Sequence, residues 1–304
     1  MLNPYHIPVL LPEAISHLNI QTDGVYVDCT FGGGGHSKAI LENLGGEGRL
    51  IAFDQDADAV RNLPHDKRLL FIPHNFRHIK RFLQLHGVKE VDGILADLGV
   101  SSHQLNEGSR GFSTRFDAAL DMRMDQRATK TAFHVLNTYT EANLHKLFEQ
   151  FGEVTNAKTL AKKIVEVRRS SPLHTIEGFK NSISTVVKGN PAKYFAQVFQ
   201  ALRIEVNEEL SALKELLQQV PDLLKTGGRA VFITFHSLED RLVKVFFREC
   251  TFDPPVNNPF ETTSISKPLK LLIRKPIEAG AEELAKNPRS RSARLRVAEK
   301  IALS

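Results

Sequence analysis

The sequence predicts an α/β protein: a parallel sheet with helices on both faces, interrupted by a helical insertion. Three observations predict it. A short β-branched and aromatic run (VYVD, 25–28) leads through Cys29, Thr30 and Phe31 into four consecutive glycines and then a helical pattern. Short apolar runs separated by helical segments recur over the first hundred residues and again near the end. Between these two regions lies a series of amphipathic helical patterns with no strand signal.

The stretch 25–37, VYVDCTFGGGGHS, has the outline of a buried strand, a tight turn and a helix N-terminus. Glycines there allow positive φ and let a ligand approach without meeting a Cβ, while free N–H groups of the following helix face outward. Phosphates, dinucleotides and S-adenosylmethionine all use such turns. The phosphate loop ending in Lys-Ser/Thr is absent, because His36, Ser37 and Lys38 follow the glycines.

A helix follows from residue 36 to 44, stopped by Gly45 and Gly46. Residues 49–53, 69–72 and 91–98 read as further strands, with helical segments starting at Ala57 and Phe76. Ligands of open parallel sheets bind beyond the carboxyl ends of the strands. Asp28, Asp54 and Asp97 each fall at such an end, so the three acids are expected to line one crevice.

From about Gly108 the pattern changes. GSRGFSTRFDAALDMRMDQRATK is rich in charge and turn formers and reads as a loop near a functional site or domain boundary. Four helical patterns follow, marked by Leu144 to Phe151, by Leu160, Ile164 and Val165, by Ile176 to Val186, and by a long register from Ala192 towards Leu217. Lys162, Lys163, Arg168, Arg169, Lys180, Lys188, Lys193 and Arg203 are placed on the exposed faces of this insertion, where they suit either solvent or a nucleic-acid backbone. Sheet character returns at 229–235, followed by a helix with Leu242, Val245 and Phe246 inward. Residues 254–259 read as a loop, and 269–273 and 294–298 as the last strands. The segment KNPRSRSARLR (286–296) carries basic residues and no acid, which suits phosphate contact or solvation. The domain expectation is 1–108 with 207–304 as the α/β domain and 109–206 as the insertion.

Composition is that of a globular chain: 304 residues, 41% hydrophobic and 25% charged, with a net charge of +5 that permits an anionic partner. Two cysteines are too few for a disulfide framework or a thiolate metal site, so a reducing compartment and no metal are expected. The N-terminus lacks a basic region before its apolar run and is interrupted by Pro4, Pro8 and Pro12, unlike a signal peptide or membrane span. No window reaches about 18 uninterrupted apolar residues, and a cytoplasmic location is expected.

The glycine turn with its strand-end acids looks like a class I S-adenosylmethionine-dependent methyltransferase, Rossmann-like in its sheet. Six stretches, VDCTFGGGGHS, DLGVSSHQL, GFSTRFDAALDMRMD, FQALRIEVNEEL, TFHSLEDRLVK and NPRSRSARLRVAE, together resemble the RsmH (MraW) family, nearly end to end and in the family's order. That resemblance implies methylation of N4 of a decoding-centre cytidine in 16S rRNA of the small ribosomal subunit. It implies S-adenosyl-L-methionine as cofactor, with Gly34, Gly35 and His36 in the cofactor turn, Asp54 on the ribose hydroxyls, Phe76 near the adenine, Asp97 opening the DLGVSS motif and Gln104 closing the group. Two departures stand out. NPAKYFAQVFQALRI places three more residues between Pro191 and Phe199 than is common, with Val198 where Thr is usual, and Ala118 and Ala119 replace a frequent Gly-Pro.

The exocyclic amine of cytosine is a weak nucleophile, so in-line approach and acceptors for its hydrogens are needed. Asp97 or the backbone carbonyls of 98–100 are the candidate acceptors, and Asp97 is equally a candidate to hold the amino acid end of the cofactor. His236, Asp240, Asp121 and Asp125 are candidates to hold the base or move a proton, and for His236 a role in tying down the strand-to-helix turn has equal weight. The helical insertion and the basic segment at 286–296 are the expected RNA grips. A homodimer is left open. A dehydrogenase, a non-catalytic ribosome-assembly factor and a DNA amino methyltransferase are the competing classes.

Overall fold

The computed structural model describes residues 8–253 and 267–302. The chain divides into two compact units, Met1–Gly99 with Ser211–Ser304, and Val100–Leu210. The loop expected at 254–259 lies outside the described residues.

The first unit is built on one eight-stranded sheet. Its strands are β1 (Val25–Asp28), β2 (Arg49–Phe53), β3 (Leu69–Ile72), β4 (Val91–Asp97), β5 (Leu224–Thr234), β6 (Leu269–Leu271), β7 (Ile277–Glu278) and β8 (Arg294–Lys300). Their order is β3-β2-β1-β4-β5-β8-β6, with β7 also pairing β8. The first five pair in parallel, and β8 runs antiparallel to β5. Strand order reverses between β1 and β4, so their carboxyl ends flank the crevice where such sheets take ligands. This is the sheet expected of a class I methyltransferase.

Parallel strands covered on both faces need continuous apolar sequence, and β2 and β4 have it: Leu50, Ile51, Ala52 and Phe53, then Ile94, Leu95 and Ala96, are all fully buried. The Asp92 carboxylate accepts the Val25 N–H at 2.7 Å and also meets Lys225 Nζ at 2.8 Å, tying together the starts of β1, β4 and β5.

Helices α1 (Leu11–Leu18), α2 (Gly35–Asn43) and α3 (Ile79–Leu85) belong to this first unit. The second unit holds α4 (Ser102–Asn106), α5 (Ala132–Thr138), α6 (Glu141–Gln150), α7 (Ala157–Ser170), α8 (Ile176–Ser182) and α9 (Pro191–Asn207). Its core gathers Leu144, Leu147, Phe148, Leu160, Ile164, Phe179, Val198 and Leu202. Helix α10 (Glu209–Leu223) leads back to the sheet, and α11 (Ser237–Glu249) and α12 (Ala281–Lys286) complete the first unit. Among the described residues, no helix is long and apolar enough to cross a membrane.

Three expectations are corrected. The register from Ala192 to Leu217 is two helices, because Glu208 takes a left-handed φ of 52° between α9 and α10. Neither Gly nor Pro marks that break. The segments opening at Ala57 and Phe76 are 3-10 turns, Ala57–Asn62 and Phe76–His78, capped by the side chains of Asp56 and Asn75, and only from Ile79 does an α-helix follow. Two of the cations assigned to exposed faces are committed internally. Arg168 donates to the carbonyls of Leu136 and Tyr139 at the end of α5, both at 2.6 Å, and Arg203 forms a two-pronged pair with Glu209. Lys162, Arg169, Lys188 and Lys193 do lie exposed.

Candidate active site

The turn after β1 is organised by carboxylates. Asp28 is buried, and its two oxygens accept the Thr30 N–H at 3.0 Å and the Ser37 hydroxyl at 2.7 Å. Burial raises its pKa, and the Ser37 bond acts against that rise. The expectation that Asp28 lines the crevice is therefore corrected: it is spent on closing the strand-turn-helix joint. Thr30, in turn, accepts the Asp97 N–H on Oγ1 at 2.7 Å and so holds the end of β4 against that joint.

Asp54, just past β2, accepts the Gly32 N–H at 2.7 Å and the Asp56 N–H at 2.8 Å. Burial pushes its carboxyl up to about 6, with backbone donors opposing and the Asp56 and Asp28 charges adding. Asn62 donates to the Gly32 carbonyl at 3.0 Å, so the glycine turn is braced from the β2 side as well. Phe76 follows β3, half-buried against the sheet core, and the Asn75 to Gln55 bond of 2.8 Å links its turn to the one after Asp54. Asp54 and Phe76 thus stand on adjacent, connected turns.

Gly34 is the N-cap of α2 with φ 77°, a left-handed conformation that disfavours side chains. Gly35 also meets a constraint from outside the motif. A Cβ on it would lie 2.2 Å from Pro8 Cγ, so the glycine makes room for the chain's own N-terminal segment. His36 is buried at the start of α2, and its Nε2–H donates to the Val9 carbonyl at 3.1 Å. Because a carbonyl only accepts, this bond fixes the tautomer and leaves Nδ1 with its lone pair. Nδ1 faces Asp97 Oδ2 at 3.6 Å, too long for a direct hydrogen bond. Burial lowers the His36 pKa to about 4.

Asp97 ends β4, and its Oδ1 is buried without a hydrogen-bond partner among the described residues. Burial first, then the carboxylates of Asp28, Glu239 and Glu283, push its pKa well above the usual range. A carboxyl so placed fits a cation, which would supply the missing partner and the missing charge. The sulfonium and ammonium of S-adenosylmethionine are such cations.

His236 is the N-cap of α11. Its Nδ1 accepts the Glu239 N–H at 3.4 Å, and the Glu239 carboxylate accepts from the Phe235 and His236 amides at 2.8 and 3.4 Å. The 3.1 Å approach of His236 Nε2 to Glu239 Oε1 is not aligned as a hydrogen bond. Asp240 is paired on both oxygens with the buried Arg296, at 2.6 and 3.0 Å, so proton movement by Asp240 and an RNA grip by Arg296 are both excluded from the reading.

Two expected site residues lie in the second unit. Gln104 is buried, and its Oε1 accepts the Ser101 N–H at 3.0 Å in a capping box at the start of α4. Asp121 is gripped by Arg123 at 2.7 Å on each oxygen. Burial raises its pKa, but the Arg123 contacts outweigh that and leave it below the usual range.

Sequence reading missed Thr30, Ser37, Asn62 and Glu239, which hold the ligand-facing groups in place. Thr30 and Ser37 stand inside the quoted glycine motif, and the Asp28-to-Ser37 spacing over one turn was the available signal. Nothing in HIPVLL at the N-terminus marks Pro8 and Val9 as part of the site.

The sheet order, the glycine-capped α2 and the acids Asp54 and Asp97 at the carboxyl ends of β2 and β4 define a class I methyltransferase. The family model of the MraW methylase family matches residues 3–301, and the chain belongs to that family. It is 50% identical over 298 residues to the ribosomal RNA small subunit methyltransferase H of Azobacteroides pseudotrichonymphae genomovar. CFP2, covering 98% of both chains. To the protein of that name from Cytophaga hutchinsonii it is 51% identical over 299 residues, covering 97% of this chain and 99% of the relative. The Christiangramia forsetii protein is 49% identical over 303 residues, covering 99% of each. As a member of this family the chain is a methylase, and S-adenosyl-L-methionine is its cofactor.

Proposed function

We propose that the protein methylates the exocyclic N4 amine of a decoding-centre cytidine in 16S rRNA of the small ribosomal subunit. Three lines support the reading: membership of the methylase family, relatives at about half identity named as small-subunit rRNA methyltransferases, and the motif set. The observation that carries it is the buried Asp97 Oδ1 at the end of β4, next to the glycine turn, with no hydrogen-bond partner among the described residues.

The bound cofactor supplies an electrophilic methyl group on a sulfonium. Gly34, Gly35 and His36 form the wall of its amino acid end, while Asp54 and Phe76, on their linked turns, take the ribose and adenine. Gln104 is assigned to the same cofactor set. Asp97 either holds the cofactor's ammonium or accepts a hydrogen of the cytosine amine, drawing its lone pair out of the ring as nitrogen becomes tetrahedral. His236 and Glu239 fix the turn after β5, and Asp121, paired with Arg123, is assigned to holding the base or moving a proton. The cytosine must be unpaired or flipped to be reached. Lys162, Arg169, Lys188 and Lys193 of the second unit, with Arg291, are the proposed phosphate contacts. Cytoplasmic action follows from this substrate.

Calorimetry with S-adenosylmethionine and with NAD, followed by methylation of small-subunit RNA against duplex DNA, tests the reading. Binding of the first cofactor alone and a preference for the RNA are expected, and Asp97→Ala should lose at least about a hundredfold in methylation while still associating with RNA. NAD binding, preferred methylation of DNA, or an active Asp97→Ala variant would overturn the assignment.

A further inference from the structure

The first three described residues, Pro8, Val9 and Leu10, touch the site in a way the glycine motif alone does not predict. Pro8 fills the space a side chain at Gly35 would need, and the Val9 carbonyl holds His36 Nε2 at 3.1 Å. Leu10 takes a left-handed φ of 51° at the start of α1, where its side chain provides no cap. That conformation is unfavourable for a branched residue and persists only when something else holds it. What holds it is distant in sequence. The Leu10 N–H donates to Glu283 Oε1 at 2.9 Å, across 273 positions.

We propose that Glu283 of α12 is a positioning residue of the cofactor site, pinning the 8–10 strap through the Leu10 amide and thereby fixing the imidazole of His36. The proposal rests on the cofactor reading of that site. The chain of contacts is continuous: Glu283 to Leu10 N–H, Val9 carbonyl to His36 Nε2–H, His36 Nδ1 towards Asp97. Each link has one chemical direction. The carboxylate accepts from the amide, the carbonyl accepts from Nε2, and the remaining imidazole nitrogen therefore offers a lone pair to the Asp97 side. Glu283 need not touch the cofactor to set the wall it meets. A released strap would leave the His36 tautomer undetermined and uncover Gly35.

The test compares Glu283→Ala, Glu283→Asp and Glu283→Gln in the full-length protein, with nitrogen-15-labelled histidine and calorimetric titration of S-adenosylmethionine. The His36 resonances are assigned by their loss in His36→Asn. The wild type should show a single Nε2–H tautomer without cofactor. Alanine removes the acceptor and aspartate is too short to reach, so both should mix the tautomers and weaken cofactor binding about tenfold, the effect of losing one hydrogen bond. Glutamine keeps an acceptor and should restore both readouts. An Nε2–H signal and affinity unchanged in the alanine and aspartate variants would overturn the proposal. So would a glutamine variant as impaired as alanine, since the charge and not the acceptor would then be the cause. Should alanine fail to fold, the aspartate and glutamine pair decides by the same criteria. A wild type that shows the fixed tautomer but binds no S-adenosylmethionine would instead sink the cofactor reading and leave the strap intact.

Discussion

His36 Nδ1 lies 3.6 Å from Asp97 Oδ2, an unprotonated imidazole nitrogen facing a carboxyl that burial and neighbouring acids keep protonated more readily than usual. A cation bound there stabilises the Asp97 carboxylate and lowers its pKa, so the proton leaves. Below the free-protein pKa of Asp97, binding of S-adenosylmethionine should therefore release a proton, and affinity should rise with pH until that pKa is passed. Titrations in buffers of different ionisation enthalpy measure this directly. Asp97→Asn should abolish the proton release.

His36 also makes stability depend on pH. Its folded-state pKa of about 4 lies below the ordinary 6.5, so the unfolded chain binds the proton first as pH falls. Its contribution is complete above pH 6.5 and is lost as pH drops towards 4, by about 3 kcal/mol across the window. Asp54, raised to about 6, has the opposite sign: its stabilising effect is present at low pH and fades as pH rises towards 6. The two partly cancel in the wild type. Urea unfolding of wild type and His36→Asn at pH 7 and pH 5 isolates the histidine part, and the stability advantage of the wild type should shrink at pH 5.

Gly35 and Pro8 form a testable pair. Gly35→Ala places a methyl 2.2 Å from Pro8 Cγ, an overlap that must displace the strap and should cost about 1–3 kcal/mol. Pro8→Ala removes the ring atoms responsible. The double variant should recover most of the loss, giving a favourable coupling energy in thermal or denaturant unfolding.

The Asp240 and Arg296 pair is structural. Both groups are buried, so Asp240→Ala leaves an uncompensated guanidinium and should destabilise by about 3–5 kcal/mol. Methylation per folded molecule at low temperature should stay close to that of the wild type. The apolar double variant Asp240→Leu with Arg296→Met should regain much of the stability, measured by denaturant unfolding.

The sheet was legible in the sequence because parallel strands buried on both faces need continuous apolar runs. Val25–Asp28, Arg49–Phe53 and Leu69–Ile72 stand where those runs were read, and Asp97 closes β4 as expected. The helices were less legible. Helix α1 was not anticipated because its prolines read as interruptions, yet Pro12 occupies the first turn, where a missing N–H costs nothing. The break at Glu208 carries no turn residue, so periodicity alone ran through it. At the site, the glycine turn and its acids were visible as a local motif. The strap over Gly35 and the bond from Leu10 to Glu283 were not, since each depends on where the folded backbone brings residues distant in sequence.

The central claim is most directly tested by incubating the protein with isotope-labelled S-adenosylmethionine and small ribosomal subunits that lack the modification, then digesting the 16S rRNA for nucleoside mass spectrometry. Labelled N4-methylcytidine is expected, confined to a decoding-centre fragment and absent with Asp97→Ala. Labelled methyl on another nucleoside, or none with a wild type that binds the cofactor, would contradict it.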